Sequence, residues 1–395
     1  MSMFGPYGEH RPSKTVTPCD QSWERSRWEW RVGDPGDPAA AVTAFLAGFG
    51  LGLPGGRPGP DPDLCGAMLF ISAAAGAVMA GGPVGATSPV PAVPDVVAVV
   101  HGHGGARAGA VLAEPSPHRW RCGPWERSWT PSEHADGVVR VRDAIARGDV
   151  YQVTLVGHAS AAYDGDPGPA LRRVTRLPGA RYAMVLTGRS GLAGDGWAIA
   201  SASPETLVRV EGGVVLTRPI KGTRPATSAG RAQLLASPKE RAEHVMIVDL
   251  ERNDLARVAR TGSVEVTELF AVRRWCDLWQ AESEVTARLA EDVDLTALLR
   301  AVCPGGSVTG APKLAALQQI AALEPVGRGA SMGALGWIDR DKIDIGLTIR
   351  TVAVDAERVH LWAGGGITWG SDPEAEVAEA DAKAAPLRSA LATRR

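Results

Sequence analysis

The segment Pro219-Ile220-Lys221-Gly222-Thr223-Arg224 follows a strand-like run, Gly213-Val214-Val215-Leu216-Thr217-Arg218. Lys221 is therefore predicted to lie where a strand ends, at a point where Gly222 lets the backbone turn sharply. An amine held there by a sheet can still point into a cleft. Its ordinary pKa is near ~10.4, and burial or a second cation can lower that pKa to about 7–8, which makes the neutral amine a nucleophile. The alternative is a solvated lysine in a surface turn.

The segments around this lysine combine helix and strand patterns. Ser237-Pro238 places a capping serine before a proline at the first turn, which predicts a helix that runs to about Val258. Asp372-Pro373 starts a last helix, and Ala311-Pro312 starts another between them. The fold class is therefore α+β, with sizeable antiparallel sheets and flanking helices. The predicted strands are 68–73, 96–100, 150–156, 198–210, 214–219, 333–338, 343–354 and 359–367.

The composition is that of an ordinary soluble protein and excludes several classes of function. The 395 residues are 45% hydrophobic, and the net charge is −2 without a basic stripe, so no nucleic-acid partner is expected. The longest apolar stretch, 67–80, is too short and too rich in glycine to span a bilayer. The five cysteines are scattered and lack the spacing of a zinc site or a disulfide framework. We expect a cytoplasmic protein with no membrane partner.

Two pairs of carboxylates suggest a metal site. Glu240 and Glu243 lie three residues apart on one predicted helix, and Glu376 and Glu379 lie three apart on another, with Lys383 four residues later. Each pair shares one helix face. Facing pairs would repel one another unless a cation lay between them, and hard oxygen ligands favour Mg²⁺ that keeps some of its waters. The alternative is that both pairs are solvated helix faces.

Three further features suggest a site for an anion and an acid. Gly364-Gly365-Gly366 ends a predicted strand, where backbone N–H groups can approach a carboxylate; a plain turn is the alternative. Arg350 lies in a predicted strand that is otherwise apolar, so its charge needs a partner, either a bound carboxylate or a structural salt bridge. Glu205 follows a strand and is either a general acid or a turn carboxylate.

Eight segments of this chain occur in an order that carries a resemblance: Gly148-Asp-Val-Tyr-Gln-Val153, Ser203-Pro-Glu205, Arg218-Pro-Ile-Lys-Gly-Thr-Arg224, Arg241-Ala-Glu-His-Val-Met-Ile-Val-Asp-Leu-Glu-Arg-Asn-Asp254, Pro304-Gly-Gly-Ser-Val-Thr-Gly-Ala-Pro-Lys313, Thr348-Ile-Arg-Thr351, Ala363-Gly-Gly-Gly-Ile367 and Glu376-Val-Ala-Glu379. In this order they resemble the chorismate-utilising enzymes. That family holds anthranilate synthase large subunits, component I of aminodeoxychorismate synthase, isochorismate synthases and salicylate synthases. The resemblance covers roughly 65–390 and is strong from 135 onward.

The resemblance implies one large α+β catalytic unit, with two antiparallel sheets packed together, helices outside and the site in a cleft. Residues 1–30 are polar and charged with interspersed tryptophans, and they are predicted to be a flexible N-terminal arm. Residues 31–134 are interpreted as the N-terminal portion of the same catalytic unit. Residues 135–395 are interpreted as the chorismate-binding catalytic core.

Two positions indicate a reaction within the family. Members that use ammonia carry glutamine where this chain has Gln152, whereas water-using members carry lysine. Lys221 in its Pro-Ile-Lys-Gly-Thr context is similar to aminodeoxychorismate synthase, which implies that the amine attacks C2 of chorismate and that ammonia then adds at C4. The alternatives are anthranilate synthase component I and a catalytically silent regulatory homologue.

The resemblance also implies a role for each remaining candidate. Glu205 would be the acid for the departing hydroxyl, and Arg350 would bind the enolpyruvyl carboxylate. The Mg²⁺ would bind the ring carboxylate and be held by Glu243 and Glu376, with Glu240 and Glu379 close by or acting through water. The residues expected to line the substrate or offset its charge are Thr223, Ser307, Gly364, Gly365, Gly366 and Lys383.

The chain departs from the family pattern at two positions. Gln280 replaces a histidine that anthranilate synthases tie to pyruvate elimination. Trp337 replaces a tyrosine, so no hydroxyl is expected there for the pyruvyl group. None of the five cysteines lies in a glutaminase-like nucleophile turn, so ammonia is expected from a separate glutamine amidotransferase subunit.

Overall fold

The computed structural model describes residues 22–54, 61–103, 120–189 and 196–393. The helices are α1 (Pro38–Ala47), α2 (Ala73–Met79), α3 (Pro131–Ala146), α4 (Gly168–Thr175), α5 (Ser228–Ala236), α6 (Pro238–Ala256), α7 (Leu295–Val302), α8 (Lys313–Leu323) and α9 (Pro373–Leu391), with a short 3₁₀ turn at Gly306–Val308. The strands are β1 (Trp23–Trp30), β2 (Leu64–Ile71), β3 (Val96–Gly102), β4 (Arg121–Cys122), β5 (Glu126–Arg127), β6 (Gln152–Asp164), β7 (Tyr182–Thr187), β8 (Ala198–Ser203), β9 (Thr206–Glu211), β10 (Val214–Arg218), β11 (Ile220–Pro225), β12 (Glu265–Trp275), β13 (Leu278–Arg288), β14 (Gly310–Ala311), β15 (Ala334–Ile338), β16 (Lys342–Leu347), β17 (Thr351–Val354) and β18 (Arg358–Ile367).

These strands form two antiparallel sheets in the described part of the chain. The first sheet has the order β1-β3-β2-β15-β16-β9-β10-β13-β11, with β12 paired to β13. The second has the order β14-β6-β18-β17-β8-β7, with β4 and β5 paired to β6. Strands from the beginning and the end of the chain therefore lie side by side in the first sheet.

The main apolar core lies between the two sheets. Phe70 and Ile345 of the first sheet and Ile199 of the second belong to one buried cluster. Helices α4 and α9 cover the outer face of the second sheet, where Leu171 and Leu387 are buried. Burial of this apolar surface is the dominant favourable term in folding. The arrangement confirms the predicted α+β fold of two packed antiparallel sheets with helices outside.

The backbone at Lys221 differs from the predicted sharp turn at a strand end. Strand β10 ends at Arg218, and after Pro219 the chain continues as β11. Lys221 therefore lies within a strand that pairs with β13. The register shifts between Lys221 and Thr223, where Gly222 has φ +75. A Cβ on Gly222 would lie 2.8 Å from both Leu234 and Glu240, so a side chain there would clash. The glycine therefore produces a bulge, which redirects the lysine without ending the strand.

The single strand predicted over 343–354 is wrong. The structure divides it into β16, in the first sheet, and β17, in the second. The single strand predicted over 198–210 is wrong in the same way, since β8 lies in the second sheet and β9 in the first. Arg350 lies in the crossing between β16 and β17 with φ +51, a left-handed conformation that arginine rarely adopts. The apolar pattern continues through both strands, so it gives no sign that the chain changes sheets.

The flexible arm predicted over 1–30 is wrong for residues 23–30, and residues 1–21 lie outside the described residues. Residues 23–30 form β1, which pairs with β3 at the edge of the first sheet. Trp30 is buried, and Trp28 stacks on Phe45 of α1 at a centroid distance of 6.3 Å. The charged residues of β1 suit an exposed sheet edge, where they discourage pairing with another chain.

No helix in the described ranges is long and apolar enough to cross a membrane.

A row of buried hydrogen bonds crosses the second sheet. Ser128 Oγ lies 2.5 Å from His158 Nδ1, and His158 Nε2 lies 3.1 Å from His360 Nδ1. His360 Nε2 in turn lies 3.3 Å from an Asp355 carboxylate oxygen. Burial lowers the pKa of His158 to about 3, and the neighbouring His360 and Arg358 act in the same direction. His158 is therefore neutral at ordinary pH.

Acidification is expected to destabilise the fold through His158. Its pKa is about 3 in the folded chain and about 6.5 when unfolded, so only the unfolded chain binds this proton between those values. The contribution of neutral His158 to the free energy of unfolding is complete above pH 6.5. As the pH falls from 6.5 toward 3, the free energy of unfolding decreases by up to about 1.4 kcal/mol per pH unit. Urea unfolding between about pH 7.5 and 4.5 should show a steeper loss in the wild type than in His158→Gln. Parallel losses would contradict this role.

Candidate active site

The two acidic helices begin as the sequence predicts. Ser237 Oγ accepts a hydrogen bond from the backbone N–H of Glu240 at 3.3 Å, and a proline follows the cap. Asp372 Oδ1 accepts one from the N–H of Ala375 at 2.9 Å, again with a proline next. Each cap satisfies an N–H that has no partner within its helix. The caps fix where each helix starts and therefore which residues face the cleft.

One cavity between the sheets and the two acidic helices collects most of the predicted site residues. Gln152 is the exception, since it lies just behind the cavity wall. The predicted residues that line the cavity are Glu205, Lys221, Thr223, Glu240, Glu243, Ser307, Arg350, Gly364, Gly365, Gly366, Glu376, Glu379 and Lys383.

Ser307 joins the amine and the acid of the cavity. Its carbonyl oxygen accepts a hydrogen bond from Lys221 Nζ at 3.0 Å, and its hydroxyl donates one to Glu205 at 2.6 Å. Thr154 Oγ1 also donates to the Ser307 carbonyl at 3.1 Å. Ser307, in the loop 303–312 between α7 and α8, therefore fixes both the Lys221 amine and the Glu205 carboxyl group.

The protonation of this pair suits an amine nucleophile beside an acid. Burial lowers the pKa of Lys221; nearby Glu205 raises it, and the positive charge of Lys383 lowers it further. Burial raises the pKa of Glu205 to about 7, although the Ser307 hydrogen bond and Lys221 act to lower it. Near neutral pH a large fraction of Glu205 is therefore protonated and can donate a proton.

The three glycines bring β18 close to the reactive groups. A Cβ on Gly364 would lie 1.9 Å from a backbone oxygen of Leu155, so any side chain there is excluded. A Cβ on Gly366 would lie 2.4 Å from Gln152 Nε2 and 2.9 Å from Lys221 Nζ. These two nitrogens therefore converge on Gly366. Gln152 is buried, and its Nε2 has no hydrogen-bond partner among the described residues.

Arg350 presents a charge without an acidic partner. Its guanidinium stacks over Trp275 at 4.3 Å, and Nη1 donates to the Lys383 carbonyl at 2.9 Å. Within the described ranges, no carboxylate lies at ion-pairing distance from it. Burial lowers the pKa of Arg350 to about 10, so it remains charged at neutral pH. A buried, unpaired guanidinium facing a cavity is suited to a bound carboxylate.

Cations already partly neutralise the four glutamates. Arg224 contacts Glu240 at 2.9 Å, and Lys383 contacts Glu379 at 2.7 Å. Burial raises the pKa of Glu240, an effect that Arg224 opposes. Burial also acts to raise the pKa of Glu379, but Lys383 holds that pKa below its usual value. These two carboxylates are thus occupied by basic partners.

The remaining two glutamates fit a magnesium ion. Lys239 Nζ lies 3.6 Å from Glu243 and 3.9 Å from Glu376, so one ammonium already lies between the two acidic helices. The Lys239 side chain is 45% exposed and can leave that position. In the parts of the chain that are described, no three acidic, histidine or cysteine side chains converge on one ion position. Two carboxylates with several waters is a coordination that Mg²⁺ accepts.

The structure adds residues that sequence reasoning missed and corrects one that it included. Lys239 could have been found, since it precedes Glu243 by one helical turn, whereas Trp275 carries no sequence signal. Gln280 lines the cavity opposite Thr223. Trp337 does not lie at the substrate site: it is buried in the core beside His101, so the expected loss of a pyruvyl contact there is wrong.

Comparison with known proteins agrees with this geometry. A family model described as chorismate binding enzyme matches residues 98–389. The chain belongs to the chorismate-binding enzyme family. This confirms the resemblance drawn from the eight segments.

Two curated relatives in this family carry different names. Aminodeoxychorismate synthase component 1 of Salmonella typhimurium is 41% identical over 262 residues, which cover 65% of this chain and 56% of that protein. Anthranilate synthase component 1 of Streptomyces coelicolor is 38% identical over 291 residues, which cover 72% of this chain and 56% of that protein. The chain thus matches just over half the length of each relative. The two are similar in identity, so the choice between activities depends on the site.

The fold is shared with a solved structure. The crystal structure of anthranilate synthase component I from Streptococcus pneumoniae superposes with a TM-score of 0.75 at 24% identity. The superposition covers 98% of this chain and 95% of that one. The two proteins therefore share one fold over nearly the whole of this chain.

Proposed function

We propose that this protein is component 1 of an aminodeoxychorismate synthase, which aminates chorismate at C4 to give 4-amino-4-deoxychorismate. The observation that carries the proposal is the double contact of Ser307 with Lys221 and Glu205. It places a poised amine and a protonated acid within one small cavity, as a covalent displacement requires.

The proposed reaction has two displacements. Lys221 Nζ forms a bond to C2, the two ring double bonds shift toward C4 and the C4–O bond breaks, while Glu205 gives its proton so that the hydroxyl leaves as water. Ammonia then forms a bond to C4, the double bonds shift back, and the C2–Nζ bond breaks to regenerate the amine of Lys221. The surplus proton of the added ammonia returns to Glu205. Gln152, whose amide nitrogen converges with the lysine on Gly366, would orient the ammonia.

The remaining residues would bind and orient the substrate. Arg350 would pair with the enolpyruvyl carboxylate, and Lys383 would offset the negative charge of the substrate. Glu243 and Glu376 would hold Mg²⁺, with Glu240 and Glu379 acting nearby or through water. When bound, this ion would neutralise the ring carboxylate. Thr223, Ser307 and the glycines Gly364, Gly365 and Gly366 would line the ring.

The proposal also implies a partner and a setting. Ammonia would come from a separate glutamine amidotransferase subunit, in keeping with the "component 1" in the names of the relatives. The product would serve synthesis of p-aminobenzoate and folate in the cytoplasm.

Product identification tests this function. The protein is incubated with chorismate, ammonium and Mg²⁺, and the products are separated by chromatography with and without an aminodeoxychorismate lyase. We expect a 4-amino product that gives p-aminobenzoate only when the lyase is added. Fluorescent 2-aminobenzoate formed without the lyase would instead support an anthranilate synthase, and unchanged chorismate would support a silent homologue.

Glu205→Gln is expected to slow amination by about 10²-fold, because glutamine cannot protonate the departing hydroxyl. The wild-type rate should fall as pH rises through about 7, where Glu205 ionises, and this alkaline limb should be absent in the variant. The measurement is the pH dependence of kcat for both proteins. An unchanged alkaline limb in the variant would rule out Glu205 as the acid.

A further inference from the structure

The loop that carries Ser307 is closed at its base by one lysine. The loop, 303–312, runs from the end of α7 to the start of α8. Lys313 Nζ donates to Asp254 at 2.7 Å and lies 3.5 Å from the carbonyl oxygen of Ala301, so it touches both ends of the loop region. Asp254 belongs to α6, the helix that carries Glu240 and Glu243. A single ammonium therefore ties the loop to the acidic helix.

A second carboxylate of α6 supports the middle of the loop. Glu251 lies one turn before Asp254, and both are buried. A Cβ on Gly306 would lie 3.1 Å from Glu251 Oε1, so the loop passes directly over this carboxyl group. Thr217 Oγ1 lies 3.4 Å from Glu251 Oε2. The loop therefore rests on buried polar groups at the residue before Ser307.

The Lys313–Asp254 pair is largely shielded from solvent, so removing either partner would disturb the structure around it. The two side chains are 13% and 8% exposed. Removing one partner of a buried ion pair leaves an uncompensated charge and is strongly destabilising to the surrounding structure. Neither residue lines the cavity, so neither can touch the substrate directly. An effect of Lys313 on catalysis is therefore indirect, and the 303–312 loop is the element that joins Lys313 to the cavity.

We propose that Lys313 is a positioning residue, which holds the 303–312 loop against α6 and so keeps Ser307 in contact with both Lys221 and Glu205. The meaning of these two contacts rests on the proposed function. Without Lys313 the loop loses its ion pair with α6, and Ser307 shifts relative to Glu205, although Thr154 and Arg328 still hold the carbonyls of Ser307 and Val308. Glu205 then loses the hydroxyl that lowers its pKa.

The test compares Lys313→Met, Lys313→Arg, Ser307→Ala and the double variant Ser307→Ala/Lys313→Met in the full chain. We expect kcat of Lys313→Met to fall by about 10- to 100-fold with little change in KM, the size of effect that supporting partners of a site give. Its alkaline pH limb should move to higher pH. Ser307→Ala should move the alkaline limb by the same amount. The double variant should move it no further, because both changes remove the same interaction, the hydrogen bond from Ser307 to Glu205. Lys313→Arg should restore the wild-type limb.

Arg358→Met is the matched control, since it removes a long cation and its ion pair with Glu126 at the start of β18, outside the cavity. It should leave the limb unchanged. An unshifted limb in folded Lys313→Met, or a shift that adds to that of Ser307→Ala, would overturn the proposal. If Lys313→Met does not fold, Asp254→Asn takes its place and is judged by the same shift.

A readout without turnover separates this inference from the proposed function. Carbon-13 NMR of glutamate-labelled protein, with Glu205→Gln to assign the signal, gives the pKa of Glu205 directly. A higher pKa in Lys313→Met than in wild type supports positioning by Lys313, and an equal pKa contradicts it. A wild type that gives no 4-amino product would refute the proposed function and leave this comparison intact.

Discussion

Lys221→Ala is expected to lose most C4 amination, by on the order of 10³-fold or more, because the two-step covalent route disappears. The wild-type amine touches the Ser307 carbonyl and lies beside Gln152 over Gly366, which places it at the wall of the cavity that would hold the proposed substrate. Alanine opens that space to ammonia. A small amount of product aminated at C2 should therefore appear, since the lysine no longer blocks C2.

The measurement is chromatographic analysis of the aminated products, with Lys342→Ala as control because Lys342 begins β16 outside the cavity. Mass spectrometry adds an independent reading. When ammonia is withheld, the wild-type peptide that contains Lys221 should gain the mass of chorismate minus water, and the alanine variant should not. A variant that makes the 4-amino product at the wild-type rate would refute the covalent role.

The sequence predicted the acidic helices well because their signals are local. A capping residue followed by proline, at Ser237-Pro238 and at Asp372-Pro373, is a local signal for the start of a helix. The spacing of three residues then places each glutamate pair on one helix face. The ordered motifs then predicted which distant segments meet in one cavity. Neither signal needs knowledge of how the sheets pack.

The features that sequence reasoning missed depend on packing between distant segments. The apolar pattern predicts a strand through Arg350, because the pattern is the same on both sides of this residue. The chain instead leaves the first sheet there and enters the second. Trp275 supports Arg350 from a strand that is far away in sequence. Trp337 was compared with a substrate-contacting tyrosine, but its side chain fills the core. Periodicity shows that a side chain is buried, and it does not show which face of which sheet buries it.

Glu243→Gln and Glu376→Gln are each expected to abolish Mg²⁺-dependent turnover, with a loss of at least about 10³-fold. Among the four cavity glutamates that lie on α6 and α9, these two share the Lys239 ammonium, whereas Glu240 and Glu379 are paired with Arg224 and Lys383. Replacing either glutamate by glutamine removes one of the two negative charges that would face a divalent ion. The affinity for Mg²⁺ should fall together with the rate.

Glu374→Gln is the matched control, because Glu374 is exposed in the first turn of α9 and lies outside the cavity. Titration calorimetry with Mg²⁺ alone reads binding without catalysis, and turnover across a magnesium series reads the rate. Both glutamine variants should lose the calorimetric signal, while Glu374→Gln keeps it. Lys239→Ala should bind Mg²⁺ more tightly than wild type, because the ion no longer displaces an ammonium from Glu243 and Glu376. Full activity in either glutamine variant, or weaker binding in Lys239→Ala, would show that the ion is not held between these two helices.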